Sequence, residues 1–546
     1  TQDTWLAIDD NFNNQWGYII DKAKNNSIKY IKEEPKPHQV NAIEDCIQHF
    51  KKEDKGKIFM PCGTGKTLVS SIIARKINAK SVLIVVPSLN LISQMLKHWT
   101  KEYSSDNIPS EWLIVCSDQT IADDRNNDTF KGFIYELGIP TTTNVNEVKE
   151  FLELESKKIK IIFVTYQSSR IIFLANRLTN FKFDLAIFDE AHKTVGHKNK
   201  AKATLLQDIN IKIGKRLYMT ATERVFKKND DTYISMDNEN IYGKTIHSLS
   251  YKEAIQQKNP IISDYKIITF EITDKEIEES VNSNQFIEIK KYINNLTARE
   301  FAAALGLRKA IKELKIKNAI SFHRSIKRAK NFKTQQDLIS KVYSEYKDLN
   351  TFHISGEMKI SERINQILSF TKNHGLITNS RCLTEGVDIP AIDCVCFVDP
   401  KRSKIDIVQA AGRAMRLSKG KKFGYILVPI FTSNQSITTK NIKDSGFEEV
   451  INVIGHLSTN DSRISENLRA IQEGKIPDPG SPIDEILSIN VLKEIDKKSF
   501  QKAIQLKIWD SIAKFNYRSF EKSRKFARNL KLQSLLEWKN FVAKNR

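Results

Sequence analysis

Met60-Pro61-Cys62-Gly63-Thr64-Gly65-Lys66-Thr67 comes directly after a short apolar run at 58–60 and leads into a helix-like stretch at 68–77. A strand, a glycine-rich turn and a helix in that order make a phosphate-binding loop. Glycines let the backbone turn its N–H groups inward on the phosphates, and the helix start adds partial positive charge. On this reading Gly63, Thr64, Gly65, Lys66 and Thr67 bind a nucleoside triphosphate. Lys66 reaches the β- and γ-phosphates, and the Thr67 hydroxyl holds Mg²⁺. Met60 stands where the general pattern has its first glycine.

Outward from this loop, short apolar runs alternate with helical stretches, the pattern of parallel sheets with helical crossovers. Strands are expected at 58–60, 82–86, 113–116, 159–164, 185–188 and 217–219, then again at 319–322, 352–354, 376–378, 395–398 and 425–428. Most are apolar on both faces, as buried parallel strands are. Two successive α/β sets predict two domains. The polar stretch 229–237 is the expected connection between them. Beyond Pro429 no further strand pattern is legible; the reading is helical from Phe447 through Ile471. Gly474-Lys475-Ile476-Pro477-Asp478-Pro479-Gly480 then reads as a turn-rich linker.

Two further clusters carry chemistry. Phe188-Asp189-Glu190-Ala191-His192 ends an apolar strand. Adjacent carboxylates at a strand end are costly unless they face a cation. Asp189 therefore fits an Mg²⁺ ligand, and Glu190 a residue that orients or deprotonates an attacking water; an exposed acidic turn is the alternative. In the second α/β set, Gln409-Ala410-Ala411-Gly412-Arg413-Ala414-Met415-Arg416 puts two arginines three apart, on one side of a helix. Alone, such a pair is usually a solvated face. Brought against a γ-phosphate, it would stabilise transition-state charge.

Composition bounds the rest. The 546 residues, 40% hydrophobic and 28% charged, suit a globular chain of three or four domains. No apolar run approaches the roughly 18–20 residues of a membrane span, and Thr1-Gln2-Asp3 does not open a signal peptide, so an intracellular, cytoplasmic setting is expected, or a host cell for a viral chain. Thr1 in place of an initiator methionine is expected of a fragment or a processed product. Cys46, Cys62, Cys116, Cys382, Cys394 and Cys396 form no Cys-x-x-Cys pair, which argues against a zinc site or a disulfide framework. The net charge of +21 favours a polyanionic partner through counterion release. A solvated basic surface is the competing account. Residues 515–546 carry nine Lys/Arg against two Glu, interleaved with aromatics.

Taken together, these motifs resemble superfamily 2 helicases from about Pro35 to Leu427. Pro37-His38-Gln39 resembles the upstream Q-type motif, implying adenine recognition by Gln39. Val86-Pro87-Ser88-Leu89-Asn90-Leu91 resembles motif Ia. Val164-Thr165-Tyr166-Gln167-Ser168 resembles the strand end placed near the bound nucleic acid. Asp189-Glu190-Ala191-His192 is similar to the DEAH form of motif II, and Thr220-Ala221-Thr222 to the coupling motif III. Ser321-Phe322-His323-Arg324-Ser325-Ile326 resembles motif IV. Leu383-Thr384-Glu385-Gly386-Val387-Asp388-Ile389-Pro390 resembles motif V, and 409–416 resembles motif VI. The stretch 380–388 with Asp399-Pro400 and Asp406-Ile407-Val408-Gln409 resembles restriction-type helicases, notably the motors of single-chain type ISP restriction–modification enzymes. Those enzymes carry a nuclease before the motor and a methyltransferase after it. Only 34 residues precede Pro35, too few for a nuclease, so such a domain is expected as a partner or a missing piece. Tyr517-Arg518-Ser519-Phe520 through Glu537-Trp538 resembles a short repeat appended to integrases and to some large-virus helicases. Its basic and aromatic residues suit phosphate binding and base stacking, or the core of a small helical domain.

The resemblance implies an α/β chain of two tandem RecA-like domains, parallel sheets flanked by helices, followed by a helical C-terminal region. The expected divisions are an extension over 1–34, an ATP-binding domain over 35–235, a helicase C-terminal domain over 236–435, a helical region over 436–510 and a basic tail over 511–546. ATP and Mg²⁺ are the implied cofactors. Lys66, Asp189, Glu190, Gln409, Arg413 and Arg416 are the implied catalytic residues, with Gln39, Gly386 and Asp388 also at the nucleotide. His192, Thr220 and Thr222 would couple hydrolysis to movement, and Ser88, Tyr166, Arg324 and Thr384 would touch the nucleic acid. Three readings compete: a DNA helicase or translocase, an RNA helicase of the same superfamily, and a non-catalytic nucleic-acid-binding scaffold. Intact Lys66, Asp189, Glu190 and Arg416 speak against the third.

Overall fold

The computed structural model describes residues 32–116, 141–197, 201–225, 233–273, 298–346, 348–358, 360–380, 392–399, 404–418, 420–432, 447–472 and 488–490, with isolated residues elsewhere. The linker 474–480, the motif V stretch 384–390 and nearly all of 511–546 lie outside them.

Eight strands form the first sheet: β1 (Lys55–Phe59), β2 (Ser81–Val86), β3 (Ser110–Val115), β4 (Thr141–Thr142), β5 (Ile159–Thr165), β6 (Phe183–Asp189), β8 (Ile213–Thr220) and β10 (Lys244–Ser248). Their order is β10-β1-β8-β6-β2-β5-β3-β4, with every pair parallel. β7 (Gly196–His197) and β9 (Tyr233–Ile234) make a small antiparallel ribbon. Helices cover the sheet, among them α1 (Pro37–His49), α2 (Lys66–Lys76), α3 (Leu89–Ser105), α4 (Val145–Glu153) and α5 (Ser169–Thr179). Every residue of β2, Ser-Val-Leu-Ile-Val-Val, is buried, because helices pack on both faces of a parallel sheet. The Asp184 carboxylate accepts from the Lys80 and Ser81 amides at 2.7 and 2.9 Å, which pins the starts of β6 and β2 together.

The second sheet has seven strands: β11 (Asp264–Thr273), β12 (Asn318–Phe322), β13 (Thr351–His353), β14 (Gly375–Asn379), β15 (Cys394–Phe397), β16 (Phe423–Thr432) and β17 (Ser488–Asn490). The order β13-β14-β12-β15-β16-β11-β17 is again all parallel. Mixed α/β architecture with two parallel sheets, as RecA-like tandems have, is therefore the fold. The short helix α6 (Glu239–Tyr242) precedes β10, and α7 (Tyr251–Gln256) lies between β10 and β11. With the second sheet come α8 (Ala298–Glu313), α9 (Ile326–Val342), α10 (Ile360–Asn373) and α11 (Lys404–Ala414), then α12 (Phe447–Ser458) and α13 (Ser462–Gln472).

All eleven expected strands are present, and the structure adds others. β11 was not legible because Lys266, Thr269 and Glu271 interrupt its apolar residues, yet it pairs with β16 along its whole length, Asp264 with Phe423 through Thr273 with Thr432. β16 also runs through Pro429, past the expected stop. β15 pairs only with Tyr425–Leu427, so beyond Leu427 one side of β16 has no β15 partner and a missing amide is tolerated there. β17 lies inside the span expected to be helical and adds to the free side of β11. The passage between sheets also lies beyond the expected 229–237, because β10 pairs with β1 as the edge of the first sheet. One apolar cluster holds residues of both sheets, together with Leu249, Tyr251, Ala254 and Ile262 from the segment that connects them.

Candidate nucleotide cleft

The loop after β1 is held by its neighbours. The Met60 amide donates to the Thr220 carbonyl at 3.1 Å, tying the loop to the end of β8. Gly63 and Gly65 both have φ near +84°, a left-handed backbone that favours glycine. At Gly65 a Cβ would also fall 2.1 Å from Gln39 Nε2. Gly65 caps α2 with no side-chain hydrogen bond to the first turn, so no side chain competes with an anion for its N–H groups. Thr64 is buried, and its hydroxyl donates to the Pro61 carbonyl at 2.8 Å. The Thr64 carbonyl receives Gln39 Nε2 and His38 Nε2, both at 3.0 Å. Gln39 Oε1 meanwhile accepts from the Lys36 amide at 2.8 Å. In the structure, then, Gln39 is a brace engaged at both ends of its amide.

Lys66, the first residue of α2, donates to the Met60 carbonyl at 3.2 Å. Burial penalises its ammonium, but Cys62, Glu190 and Asp189 favour it and Arg416 opposes it; the balance holds its pKa above the ordinary lysine value. Thr67 follows, half-buried. Across from the loop, β6 ends at Asp189. Glu190 has φ 49° and ψ 47°, a left-handed conformation rare outside glycine and asparagine, of the kind that collects at functional sites. Both carboxylates are more than nine-tenths buried. Glu190 Oε2 lies 3.3 Å from His192 Nδ1, which is 2.8 Å from Thr220 Oγ1. Thr220 donates its hydroxyl proton to the Thr222 carbonyl at 3.1 Å and accepts from the Thr222 amide at 3.1 Å. With that proton committed, His192 must donate from Nδ1. His192, Thr220 and Thr222 thus form one hydrogen-bonded chain, and Glu190 Oε2 stands beside its histidine end.

The second sheet closes the cleft through α11. A Cβ placed on Gly412 would be 3.0 Å from Cys62 Cβ, and one on Gly63 would be 3.4 Å from Arg416 Cγ. Arg413 and Arg416 both act electrostatically on the Cys62 thiol, whose pKa burial nonetheless raises. The helix ends at Ala414, so Arg416 stands just past it in the following turn. Gln409 is buried on the same helix. Sequence reading missed Tyr251, buried on α7 between the sheets. Its hydroxyl lies 3.9 Å from the position of a Gly412 Cβ and has no hydrogen-bond partner among the described residues. A lone tyrosine in a polar stretch carries no sequence signal.

The residues implied for nucleic acid are more dispersed. Ser88 caps α3 without a side-chain cap bond and is half-buried. Arg324 is exposed at the end of β12, with its amide held by Asp399 Oδ2 at 3.1 Å. Tyr166 departs from expectation. It is buried, and its hydroxyl donates to the Asp189 carbonyl at 2.8 Å, so the adjacent exposed residue is Gln167. Thr384, Gly386 and Asp388 lie outside the described residues. A hydroxyl and a carboxylate, Thr67 and Asp189, suit a hard cation such as Mg²⁺. Among the described residues no group of three or more His, Cys, Asp or Glu could hold a metal alone.

Comparison with known proteins covers both lobes. Residues 32–225 match the family described as type III restriction enzyme, res subunit, and residues 303–418 match the helicase conserved C-terminal domain. The chain belongs to helicase superfamily 2. It is 25% identical over 441 residues to "Probable helicase A859L" of African swine fever virus, covering 80% of this chain and 45% of that protein. It is 26% identical over 343 residues to "DNA 3'-5' translocase XPB2" of Sulfurisphaera tokodaii, covering 62% of this chain and 59% of the other. Among solved structures, the ATP-dependent type ISP restriction–modification enzyme LlaBIII bound to DNA superposes with a TM-score of 0.70 at 25% identity, over 88% of this chain and 33% of that one. The chain therefore spans less than half the length of the viral relative and a third of LlaBIII. Within that superfamily its matched regions are similar to those of restriction-type members. No described helix is long and apolar enough to cross a membrane.

Proposed function

We propose that this chain is a DNA-dependent ATPase that couples hydrolysis between its two lobes to movement along DNA. The observation that carries the reading is the approach of α11 to the phosphate loop, Gly412 on Cys62 and Arg416 on Gly63. Lys66 and the amides of 63–67 bind the β- and γ-phosphates, with Thr67 and Asp189 as the metal ligands. Mg²⁺ bound there would neutralise phosphate charge and align the triphosphate. Glu190 orients water for attack on the γ-phosphorus and takes its proton as the bond to the β-phosphate oxygen breaks. Arg413 and Arg416 reach across from the second lobe to stabilise the charge that develops. Loss of the γ-phosphate removes what the arginines hold, so the lobes part. The His192–Thr220–Thr222 chain, with Glu190 beside it, then relays the change to the end of β8. Ser88, Arg324 and Thr384 are proposed to grip the backbone of the strand, and Gly386 and Asp388 to reach the nucleotide.

DNA is favoured over RNA by what the relatives' names describe, a translocase on DNA and an enzyme bound to DNA. A nuclease or methyltransferase acting together with this motor is part of the same reading. The test is ATP turnover with no nucleic acid, single-stranded DNA, duplex DNA and RNA. Stimulation by DNA well above RNA is expected. The reverse order would make the chain an RNA motor, and no stimulation by any of them would leave only the scaffold.

A further inference from the structure

Lys421 sits in the turn between α11 and β16, outside every motif named above. Its Nζ donates to the carbonyls of Ile392 at 2.6 Å and Arg416 at 3.0 Å, and also to that of Ala414. A helix end leaves such carbonyls without intrahelical partners. The Met415 carbonyl, between the two, accepts from the Ser263 amide at 2.7 Å, and Ser263 Oγ adds a 3.3 Å bond to Arg416. A Cβ on Gly424 would lie only 2.0 Å from the Ala414 oxygen, so the β16 backbone presses on the same group. Three consecutive carbonyls, 414 to 416, are thus held from outside the helix. They belong to the turn that carries Arg416 and follows Arg413. An ordinary helix cap would stop at the helix. This one also takes Ile392 and so ties the arginine turn to the start of β15.

We propose that Lys421 is a positioning residue that holds the Arg413–Arg416 turn against the phosphate loop, its ammonium giving one N–H to each of three carbonyls. The inference rests on the reading of those arginines as ligands of the γ-phosphate. Three acceptors require three donors; an ammonium has three, whereas a neutral amine has two and a lone pair. Burial pushes the Lys421 pKa down to about 8, against the opposing pull of the Asp393 carboxylate. Asp393 is itself engaged by the Lys317 and Asn318 amides at 3.1 and 2.9 Å, and burial keeps the Cys394 thiol protonated. The starts of β11 and β16 meet the same carbonyls with the neutral Ser263 and Gly424, and α11 presents the backbone of Arg416. The clamp is complete below about pH 8 and loses a donor above it.

The experiment is DNA-stimulated ATPase of the full chain from pH 6.5 to 9.5 for wild type, Lys421→Met, Lys421→Arg and Arg416→Ala, with melting temperatures alongside. Wild-type kcat should fall with a midpoint near 8 while KM for ATP changes little. Lys421→Met should have a kcat on the order of tenfold to a hundredfold lower at neutral pH and no such limb. Lys421→Arg, charged throughout, should lack the limb too but keep more of the rate. Because the folded pKa lies below the unfolded one, Lys421 contributes more to stability as pH rises from about 8 to about 10.4, while activity falls over that window. A Met variant with wild-type kcat and pH profile, beside an inactive Arg416→Ala, would overturn the role of Lys421. An Arg416→Ala variant as active as wild type would overturn the reading of the cleft itself.

Discussion

Glu190 shows what the cleft asks of single residues. It takes a left-handed backbone, is nine-tenths buried and has its carboxylate 3.3 Å from the His192 ring. Such a conformation costs on the order of 1–3 kcal/mol and survives only where its surroundings over-determine it. Lys66 is the complementary case. It is a half-buried ammonium whose charge is kept by Glu190 and Asp189, and whose one hydrogen bond among the described residues, to the Met60 carbonyl, is exchangeable for a phosphate oxygen. Lys66→Ala should therefore abolish ATP turnover while leaving DNA affinity at low salt without nucleotide largely intact. Fluorescence anisotropy with labelled DNA checks this; a variant that no longer binds DNA would mean that Lys66 also serves the nucleic-acid site.

At the scale of elements, α11 and the loop after β1 form a contact that tolerates little bulk. Gly412 is needed for close approach rather than for backbone freedom, since it lies within the helix and a Cβ would already be 3.0 Å from Cys62. Gly412→Leu should hold α11 off the loop. ATP turnover should drop by about a hundredfold, since misplacing catalytic groups by an ångström has effects of that order. The melting temperature should stay near wild type, because the substitution acts between lobes. Turnover near wild type would mean that α11 need not touch the loop. The pairing of β11 with β16 explains why α11 is placed so firmly: Ser263, one residue before β11, holds the turn that Lys421, two residues before β16, also holds.

For the whole molecule, two parallel sheets share one apolar cluster, and the polar chemistry lies where the first sheet's strand ends face α11. Ligand crevices at the carboxyl ends of parallel strands are the rule for such sheets. The chain's charge of +21 points the same way, since a backbone-gripping motor draws affinity from phosphates. Residues 515–546 hold nine of the cations. Deleting them should lessen the slope of log affinity against log salt by up to about 0.9 for each phosphate that the tail had neutralised. An unchanged slope in the same titration would make the tail a structural element.

Sequence alone determined where the motifs of each lobe lie and most of the strands. A phosphate loop needs only residue types in a short order, and a buried parallel strand announces itself by being apolar on both faces. Residue types did not reveal β11, where Lys266 and Glu271 dilute the signal, or the bracing of the loop by Gln39, or the burial of Tyr166 against Asp189. Nor did they reveal Tyr251 and Lys421. Those roles depend on which distant backbone groups end up within about 3 Å, and such proximity is set by the packing of one sheet against the other.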